Sequence, residues 1–227
     1  MNMSSICSKG TIVLFAPHPD DETLGCGGFI AKRIDEGYEV FVVVLTMGEK
    51  LFSVMLNIFE DPSPLEVCAI RRDETKRATA ILGLKPENLL FLDFEDAMLE
   101  KQQDAAVAKI INILQEKKPS EVMCTSQYEG HPDHTAAYWI VRSACEKNGL
   151  KIPIRRYITS LKMGISPDQL PEVIETVDVS KYLPLKKQAV AQFQAHLGIL
   201  CSKQSRPIAA NFDEYLKPEE QFILQHG

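Results

Sequence analysis

Two short runs of the chain combine histidine with aspartate at close spacing. The run APHPDDE at residues 16–22 holds one histidine and three carboxylates, and the run GHPDH at residues 130–134 holds two histidines. Imidazole nitrogens and carboxylate oxygens are ligands that Zn²⁺ takes in proteins. Three of the five histidines of the chain, His18, His131 and His134, fall in these runs. Together the two runs indicate a metal site.

A structural explanation exists for part of the first run. Asp20, Asp21 and Glu22 precede a helical pattern, where carboxylates cap free backbone N–H groups and complement the helix dipole. This explanation leaves His18 and its two flanking prolines unaccounted for. A lone histidine is ordinarily a packed or surface residue, but histidines beside aspartates at two matching positions favour a site.

The elements that must position these runs follow from hydrophobic periodicity. Buried strands are predicted at residues 11–16, 39–46, 88–93 and 121–126. Amphipathic helices are predicted from the glycine-rich start of the first helix to residue 36, over residues 64–82, and around residues 107–114 and 137–144. Strands that are apolar on both faces and alternate with helices predict an α/β, Rossmann-like fold with three α/β/α layers and a mostly parallel sheet. Each His-Asp run lies at the carboxyl end of a strand, where such sheets bind ligands.

Three segments depart from this simple alternation. After residue 151 the pattern predicts strands at residues 155–160 and 175–179 and a helix over residues 182–200. Segment 47–63 is apolar yet follows a strand end, so it forms either a short packed helix or a loop that covers the substrate. The glycines of GCGG at residues 25–28 do not match the dinucleotide-binding pattern, and we expect them to allow close packing of helix and sheet.

Composition restricts the partners of the chain. The chain has 25 Lys and Arg against 31 Asp and Glu, a net charge of −6 without a basic run, which argues against nucleic acid and anionic membranes. The longest apolar run, residues 40–45, is too short to span a bilayer, so no membrane span is expected. Six widely spaced cysteines without a CxxC pair, and polar first ten residues, predict reduced thiols and a cytoplasmic protein.

The combined motifs resemble the PIG-L/LmbE-like N-deacetylase family. The similar segments are APHPDDETLGCGG at residues 16–28, IRRDETKRATAILG at residues 70–83, HPDH at residues 131–134 and, more loosely, KKQAVAQFQAH at residues 186–196. The resemblance implies a single deacetylase domain over residues 1–227. It also implies a hydrolase that removes acetyl from the amine of an N-acetylglucosamine-type sugar or conjugate, a small-molecule substrate.

The resemblance implies a cofactor and its ligands. His18, Asp21 and His134 would hold Zn²⁺, with Fe²⁺ as the alternative because histidine and aspartate bind both metals. Three protein ligands leave positions for water and substrate, as a catalytic site requires. Family members form trimers or hexamers, so a homo-oligomer is expected.

The resemblance also implies catalytic roles. Asp20 would be the general base on the attacking water. A protonated His131 would polarise the amide carbonyl and stabilise the oxyanion, or protonate the leaving amine. Asp133 would hydrogen-bond to His131 and set its tautomer and charge.

Substrate contacts are implied for Arg71 and Glu74. The alternative is an ion pair between them on an exposed helix face, since they are three residues apart. His196 departs from the family pattern, and we expect it to lie on the surface of the late helix.

Two other functions are compatible with these residues. One is a hydrolase of a thiol-conjugate amide on the same fold, and the other is a non-catalytic metal- or nucleotide-binding Rossmann-like module. Asp20 and His131 argue against the second, because a binding module needs neither a base nor an oxyanion donor.

Overall fold

The computed structural model of the protein describes residues 8–163 and 165–224. Its strands are β1 (Thr11–Ala16), β2 (Glu39–Thr46), β3 (Leu89–Phe94), β4 (Glu121–Cys124), β5 (Ile154–Tyr157), β6 (Ile174–Asp178) and β7 (Glu219–Leu224). They form one sheet in the order β3-β2-β1-β4-β5-β7-β6. The pairs from β3 through β5 are parallel, and β7 is antiparallel to both β5 and β6.

Helices cover both faces of this sheet. They are α1 (Asp21–Asp35), α2 (Leu51–Leu56), α3 (Pro64–Ile81), α4 (Gln103–Lys117), α5 (Pro132–Lys147), α6 (Leu183–Val190) and α7 (Gln194–Leu197). Side chains of β1 alternate between the two resulting cores: Val13 joins the core with α4 and α5, and Leu14 joins the core with α1, α3 and α6. The predicted α/β fold with three layers and a mostly parallel sheet is confirmed.

Local signals account for the accuracy of the early elements. Helix α3 begins with a capping box, in which the Ser63 hydroxyl accepts from the Glu66 N–H and the Glu66 carboxylate accepts from the Ser63 N–H. Pro64 occupies the first turn, where its missing N–H is not needed. The predicted strands at residues 11–16 and 39–46 have the observed bounds, and β3 begins one residue later than predicted.

One prediction about the last third was wrong, and one strand there was not predicted. The helix expected over residues 182–200 is broken into α6 and α7. The break lies at Phe193, where the backbone leaves the helical region at φ −81° and ψ 66° and the side chain is buried. The Glu74 carboxylate then accepts from the N–H of Ala195 in the first turn of α7. Strand β7 was not predicted, since its pairing between β5 and β6 comes from segments distant in sequence.

The glycines at the start of α1 serve packing, as predicted. A Cβ atom on Gly25 would lie 2.4 Å from the Tyr157 ring, and one on Gly28 would lie 2.7 Å from Val179 Cβ. Cys26 between them is fully buried and is free, like each of the other cysteines in the described residues. Cys7 lies outside those residues. Within residues 8–163 and 165–224, no helix has the length and apolar character needed to cross a membrane.

Candidate active site

The two His-Asp runs meet because their strands are neighbours. Strands β1 and β4 pair in parallel, so the loops after Ala16 and Cys124 leave the same edge of the sheet. Asp20 lies in the first loop at φ 111°, a positive value that few residues other than glycine adopt. His131 lies in the second loop as the N-cap residue of α5. Backbone strain such as the positive φ of Asp20 is concentrated at functional sites.

Three side-chain atoms from these loops form a nearly equilateral triangle. Asp21 Oδ2 lies 3.3 Å from His18 Nδ1 and 3.2 Å from His134 Nε2, and the two ring nitrogens are 3.2 Å apart. Neighbouring ligand atoms of a tetrahedral zinc ion with bonds of ~2.0–2.1 Å are ~3.3–3.4 Å apart. The triangle therefore has the dimensions of one face of a zinc coordination tetrahedron.

The chemistry of the donors also suits a metal. Two imidazoles and one carboxylate are ligands of both Zn²⁺ and Fe²⁺. Two further groups of three residues have donor atoms that lie within 4.8 Å of one another inside each group. One group is His18, His131 and His134, and the other is His18, Asp96 and Asp133. His18 belongs to both sets and to the triangle, so the potential ligands concentrate around this histidine.

The second nitrogen of His18 faces two carboxylates. Nε2 lies 3.2 Å from Asp96 Oδ1 and 3.4 Å from Asp133 Oδ2. Asp133 is held in place by the backbone N–H groups of Ala97 and Leu99, both of which donate to it. A carboxylate on the outer nitrogen orients a ligand histidine and increases its basicity.

His134 has an equivalent outer partner. Its Nδ1 lies 3.4 Å from Glu129 Oε2 and 3.1 Å from Thr159 Oγ1. Glu129 is fully buried and accepts from the backbone N–H groups of Thr159 and Ser160. The N–H donors thus hold the Glu129 carboxylate next to the ring of His134.

Asp20 is enclosed by two basic side chains. Its Oδ2 lies 3.3 Å from Arg71 Nη2 and 3.3 Å from His196 Nδ1. Burial raises the pKa of Asp20 to about 7, and the positive charge of Arg71 opposes this rise. Burial and the charge of Arg71 lower the pKa of His196 to about 3, so that ring is neutral at pH 7. The buried carboxylate of Asp20 thus has the cationic Arg71 on one side and the neutral His196 on the other. This arrangement is suited to proton transfer.

Two expectations about His131 require correction. Desolvation in the cavity, together with the charges of His18 and His134, lowers the pKa of His131 to about 4, so the ring is neutral rather than protonated at pH 7. The predicted hydrogen bond between the Asp133 side chain and this ring is not formed. Instead, the backbone N–H of Asp133 donates to His131 Nδ1 over 3.2 Å, which leaves the proton on Nε2.

The two residues expected to touch substrate occupy different places. Arg71 is 4% exposed and lines the cavity, where it donates to the carbonyl oxygens of Gly48 and Pro19 as well as to Asp20. A Cβ atom on Gly48 would lie 1.6 Å from Arg71 Nη1, so a larger residue there would displace the guanidinium from its present position. Glu74 is not among the cavity residues, because it turns toward the backbone of α7. The pairing of the two on an exposed helix face is also excluded, since both are buried.

A cavity of about 450 Å³ opens onto the metal triangle and Asp20. Segment 47–63 contributes the short helix α2 to the wall of this cavity. The part of the segment that borders the site is therefore helical. His196 lines the cavity instead of lying on the surface, and its side chain is only 14% exposed. A larger groove of about 750 Å³ runs along α5 and has no histidine in its lining.

Sequence reasoning missed three residues of the site. Asp96 follows β3 at a strand end, and this position was a signal like that of the two His-Asp runs. Glu129 lies two positions before His131 and could have been included with that run. His196 lay in the family-like segment 186–196 but was expected on the surface, because it reaches Asp20 only through the break between α6 and α7.

The GlcNAc-PI de-N-acetylase (PIG-L) family matches residues 13–145 of the chain. This span is more than half of the 227 residues and contains the metal triangle, Asp20, Arg71 and His131. His196 and strands β5 to β7 lie beyond it.

Two relatives are deacetylases of N-acetylated sugars by their names. The diacetylchitobiose deacetylase of Thermococcus kodakarensis is 30% identical over 190 residues, covering 79% of this chain and 67% of that protein. A probable N-acetyl-α-D-glucosaminyl L-malate deacetylase of Bacillus cereus is 35% identical over 130 residues, covering 56% of this chain and 57% of that protein. The chain thus spans only a little over half of the second relative's length.

One solved structure has the same fold but is a hydratase rather than a deacetylase. The 4-carboxy-2-hydroxymuconate hydratase of Pseudomonas putida KT2440 superposes with a TM-score of 0.72 over 95% of both chains, at 19% sequence identity. The likeness extends to the fold alone. Because that protein is a hydratase, this fold does not by itself determine the reaction, which depends on the residues of the site.

Proposed function

The chain belongs to the PIG-L family, as its motifs predicted, and on this premise we propose that it is a metal-dependent N-deacetylase. The substrate is an N-acetylglucosamine-type sugar or conjugate, and the products are acetate and the free amine. The observation that carries the proposal is the triangle of His18, Asp21 and His134, with Asp20 and His131 beside it. Both relatives named above support the same substrate class.

The proposed metal ligands are His18, Asp21 and His134. A bound Zn²⁺, or Fe²⁺ as the alternative, would supply Lewis-acid activation of water and of the amide carbonyl. Asp96 and Asp133 lie within 3.4 Å of the outer nitrogen of His18, where their negative charge favours this orientation of the ring.

Asp20 is the proposed general base. As the water oxygen forms its bond to the carbonyl carbon, a carboxylate oxygen of Asp20 accepts the water proton. Arg71 and His196 restrict the rotation of this carboxylate through their contacts with Oδ2. When the C–N bond breaks, the same proton passes to the leaving nitrogen, which departs as a neutral amine.

His131 is the proposed oxyanion donor. Its Nδ1 accepts from the backbone, so Nε2 carries the proton and donates to the carbonyl oxygen as negative charge develops there. A neutral imidazole performs this role as a hydrogen-bond donor. Loss of one such donor typically reduces kcat by about 10²–10³-fold.

Further features of the protein are included in this proposal. We infer a single catalytic domain and a homotrimeric or homohexameric assembly, as the family resemblance implies, and a cytoplasmic protein, as the widely spaced cysteines imply. Light scattering after gel filtration measures the assembly directly. The alternative activity on a thiol-conjugate amide uses the same site and differs only in the group attached to the sugar.

The test is release of free amine from a panel of substrates. The panel contains N-acetylglucosamine, its disaccharide, N-acetylglucosaminyl-malate and N-acetylglucosaminyl-inositol, each with Zn²⁺ and with chelator. We expect release that the chelator abolishes. A metal-loaded protein that releases amine from none of these substrates would favour the non-catalytic metal-binding module.

For Asp20→Asn we expect the metal content of the wild type and a fall in turnover of about 10²–10⁴-fold, because only the proton acceptor is lost. Metal analysis and amine release on the same sample measure both effects. A wild-type rate in the metal-loaded variant would show that Asp20 is not the base.

A further inference from the structure

We infer that the substrate carries a neutral, apolar group beside its acetamido sugar, and that this group packs against α2 at the mouth of the cavity. This inference rests on the proposed deacetylase function and names the kind of conjugate on which it acts. Three observations carry it: the outward face of α2, the aromatic side chains in the same cavity, and the charges of the lining.

Helix α2 presents apolar side chains in two directions. Phe52 points inward, is 1% exposed and joins a small core with Val67. Val54 and Met55 border the cavity and remain 72% and 56% exposed. Burying Phe52 explains why the helix docks, but it does not explain apolar residues at the two open positions. An apolar ligand group would remove both side chains from water.

Aromatic rings line the same cavity. Phe212 and Tyr215 both border it, with ring centroids 5.9 Å apart. Phe212 also packs against His196, with ring centroids 5.6 Å apart, and this contact ties the aromatic pair to the surroundings of Asp20. The space beside the catalytic residues therefore has apolar contacts available on α2 and on the segment that carries Phe212.

The charges of the lining disfavour an anionic conjugate. The lysine and the arginine among the cavity residues are Lys50 and Arg71, and both are already paired. Arg71 bonds to Asp20 and two carbonyl oxygens, and Lys50 Nζ donates to Glu95 and to the Asp96 carbonyl oxygen. Carboxylates such as Asp96 lie in the same lining. Outside the proposed metal site of His18, Asp21 and His134, a malate or phosphate group would thus meet carboxylates without an unpaired lysine or arginine, a cost that a neutral apolar group avoids.

The test compares kcat/KM for matched glycosides of N-acetylglucosamine. We expect the hexyl glycoside to exceed the methyl glycoside by about tenfold or more, mainly through KM, because methylenes leave water. In the double variant Val54→Ser/Met55→Ser this ratio should fall to about threefold or less. The matched control is Val173→Ser, a substitution at an exposed valine outside the cavity lining, which should leave the ratio unchanged.

Two further substrates locate the apolar group and test its charge. If the methyl glycoside of N-butanoylglucosamine shows the advantage and the hexyl glycoside does not, the apolar group is the acyl group itself, and the inference of an apolar group beside an acetamido sugar is overturned. N-acetylglucosaminyl-malate should be a poorer substrate than the hexyl glycoside. A ratio near one for both apolar substrates, or a preference for the malate conjugate, would overturn the inference while leaving deacetylation intact.

The remaining outcomes separate this inference from the proposed function. If no glycoside is hydrolysed, the deacetylase proposal fails, and calorimetric binding of the hexyl and methyl glycosides to the metal-loaded protein then decides the inference alone. Equal binding of both would overturn it. Light scattering on the double variant tests the other occupant of α2, a second copy of the chain. A smaller assembly than that of the wild type would assign Val54 and Met55 to a subunit interface and overturn the inference.

Discussion

Asp20, the proposed general base, is a buried carboxylate whose surroundings are set by Arg71. Asp20 has a positive φ, and its Oδ2 faces a guanidinium and an imidazole within 3.3 Å. Arg71 in turn is fixed by the carbonyl oxygens of Pro19 and Gly48. The loop that carries His18 and Asp20, the loop before α2 and helix α3 are therefore joined through one guanidinium.

At this scale, Arg71→Lys is expected to reduce kcat by about 10–100-fold with unchanged metal content. Lysine retains the positive charge but cannot donate to two carbonyl oxygens and Asp20 from one planar group. Steady-state kinetics with metal analysis measure this effect.

The matched control is Arg72→Lys. Arg72 is the neighbouring residue, but its side chain is 30% exposed, pairs with Asp93 and stacks on Phe91. It should retain wild-type kinetics. Equal effects of the two substitutions would contradict the role assigned to Arg71.

Glu129→Gln is expected to weaken metal binding by about 10–100-fold. The substitution removes the negative charge beside His134 Nδ1 and leaves the proposed ligand atoms in place. Competition with a chromogenic chelator gives the affinity without reference to activity. Wild-type affinity in this variant would show that Glu129 serves only the Thr159–Ser160 loop, to whose N–H groups it is bonded.

At the scale of elements, helix α3 links local sequence to the site. Its capping box begins the helix at Pro64, and two turns later the helix delivers Arg71 to Asp20. Helices α6 and α7 show the opposite case, since their break depends on burial of Phe193 and on a bond from Glu74. That break turns His196 into the cavity.

Ser63→Ala should destabilise the protein by about 1 kcal/mol, because the N–H of Glu66 loses its acceptor at the start of α3. Urea unfolding monitored by circular dichroism measures the change. Glu66→Gln is the control: it keeps an acceptor for the Ser63 N–H and should change stability less. If Ser63→Ala had no effect, the start of α3 would be held by packing rather than by its cap.

At the scale of the whole molecule, a buried ion pair joins the last strand to the first helix. Lys186 Nζ lies 2.7 Å from Glu220 Oε1 and donates to the Leu24 carbonyl oxygen. Glu220 also accepts from the N–H groups of Gly28 and Phe29, next to the kink of α1. Strand β7 thereby fixes the helix that begins with metal-site residue Asp21.

Lys186→Met is expected to destabilise the protein by about 3–5 kcal/mol, because it leaves the buried Glu220 carboxylate without its cation. Chemical denaturation gives the free energy of unfolding. Lys181→Met is the control, since Lys181 pairs with Asp35 on the surface, and it should unfold at the wild-type denaturant concentration. Similar losses in both variants would show that the buried pair has no special role.

Much of the fold and of the site could be predicted from sequence. Strands β1 and β2 are continuous apolar runs, and the two His-Asp runs stand at strand ends, so local patterns predicted that both runs lie at the ligand-binding edge of the sheet. The set His18, Asp21 and His134 within these runs came from the family resemblance. The family follows from the same motifs, because the residues within each motif are close together in the chain and can be identified without long-range information.

Tertiary structure alone decided which residues surround that cluster. Asp96, Glu129 and His196 come from three separate segments, and their distances to His18, His134 and Asp20 depend on strand order and on the helix break. Likewise, the neutral His131 and the pairing of Arg71 depend on burial and on neighbouring charges. Burial and charge are sums over the whole packed molecule, so no local pattern in the sequence contains them.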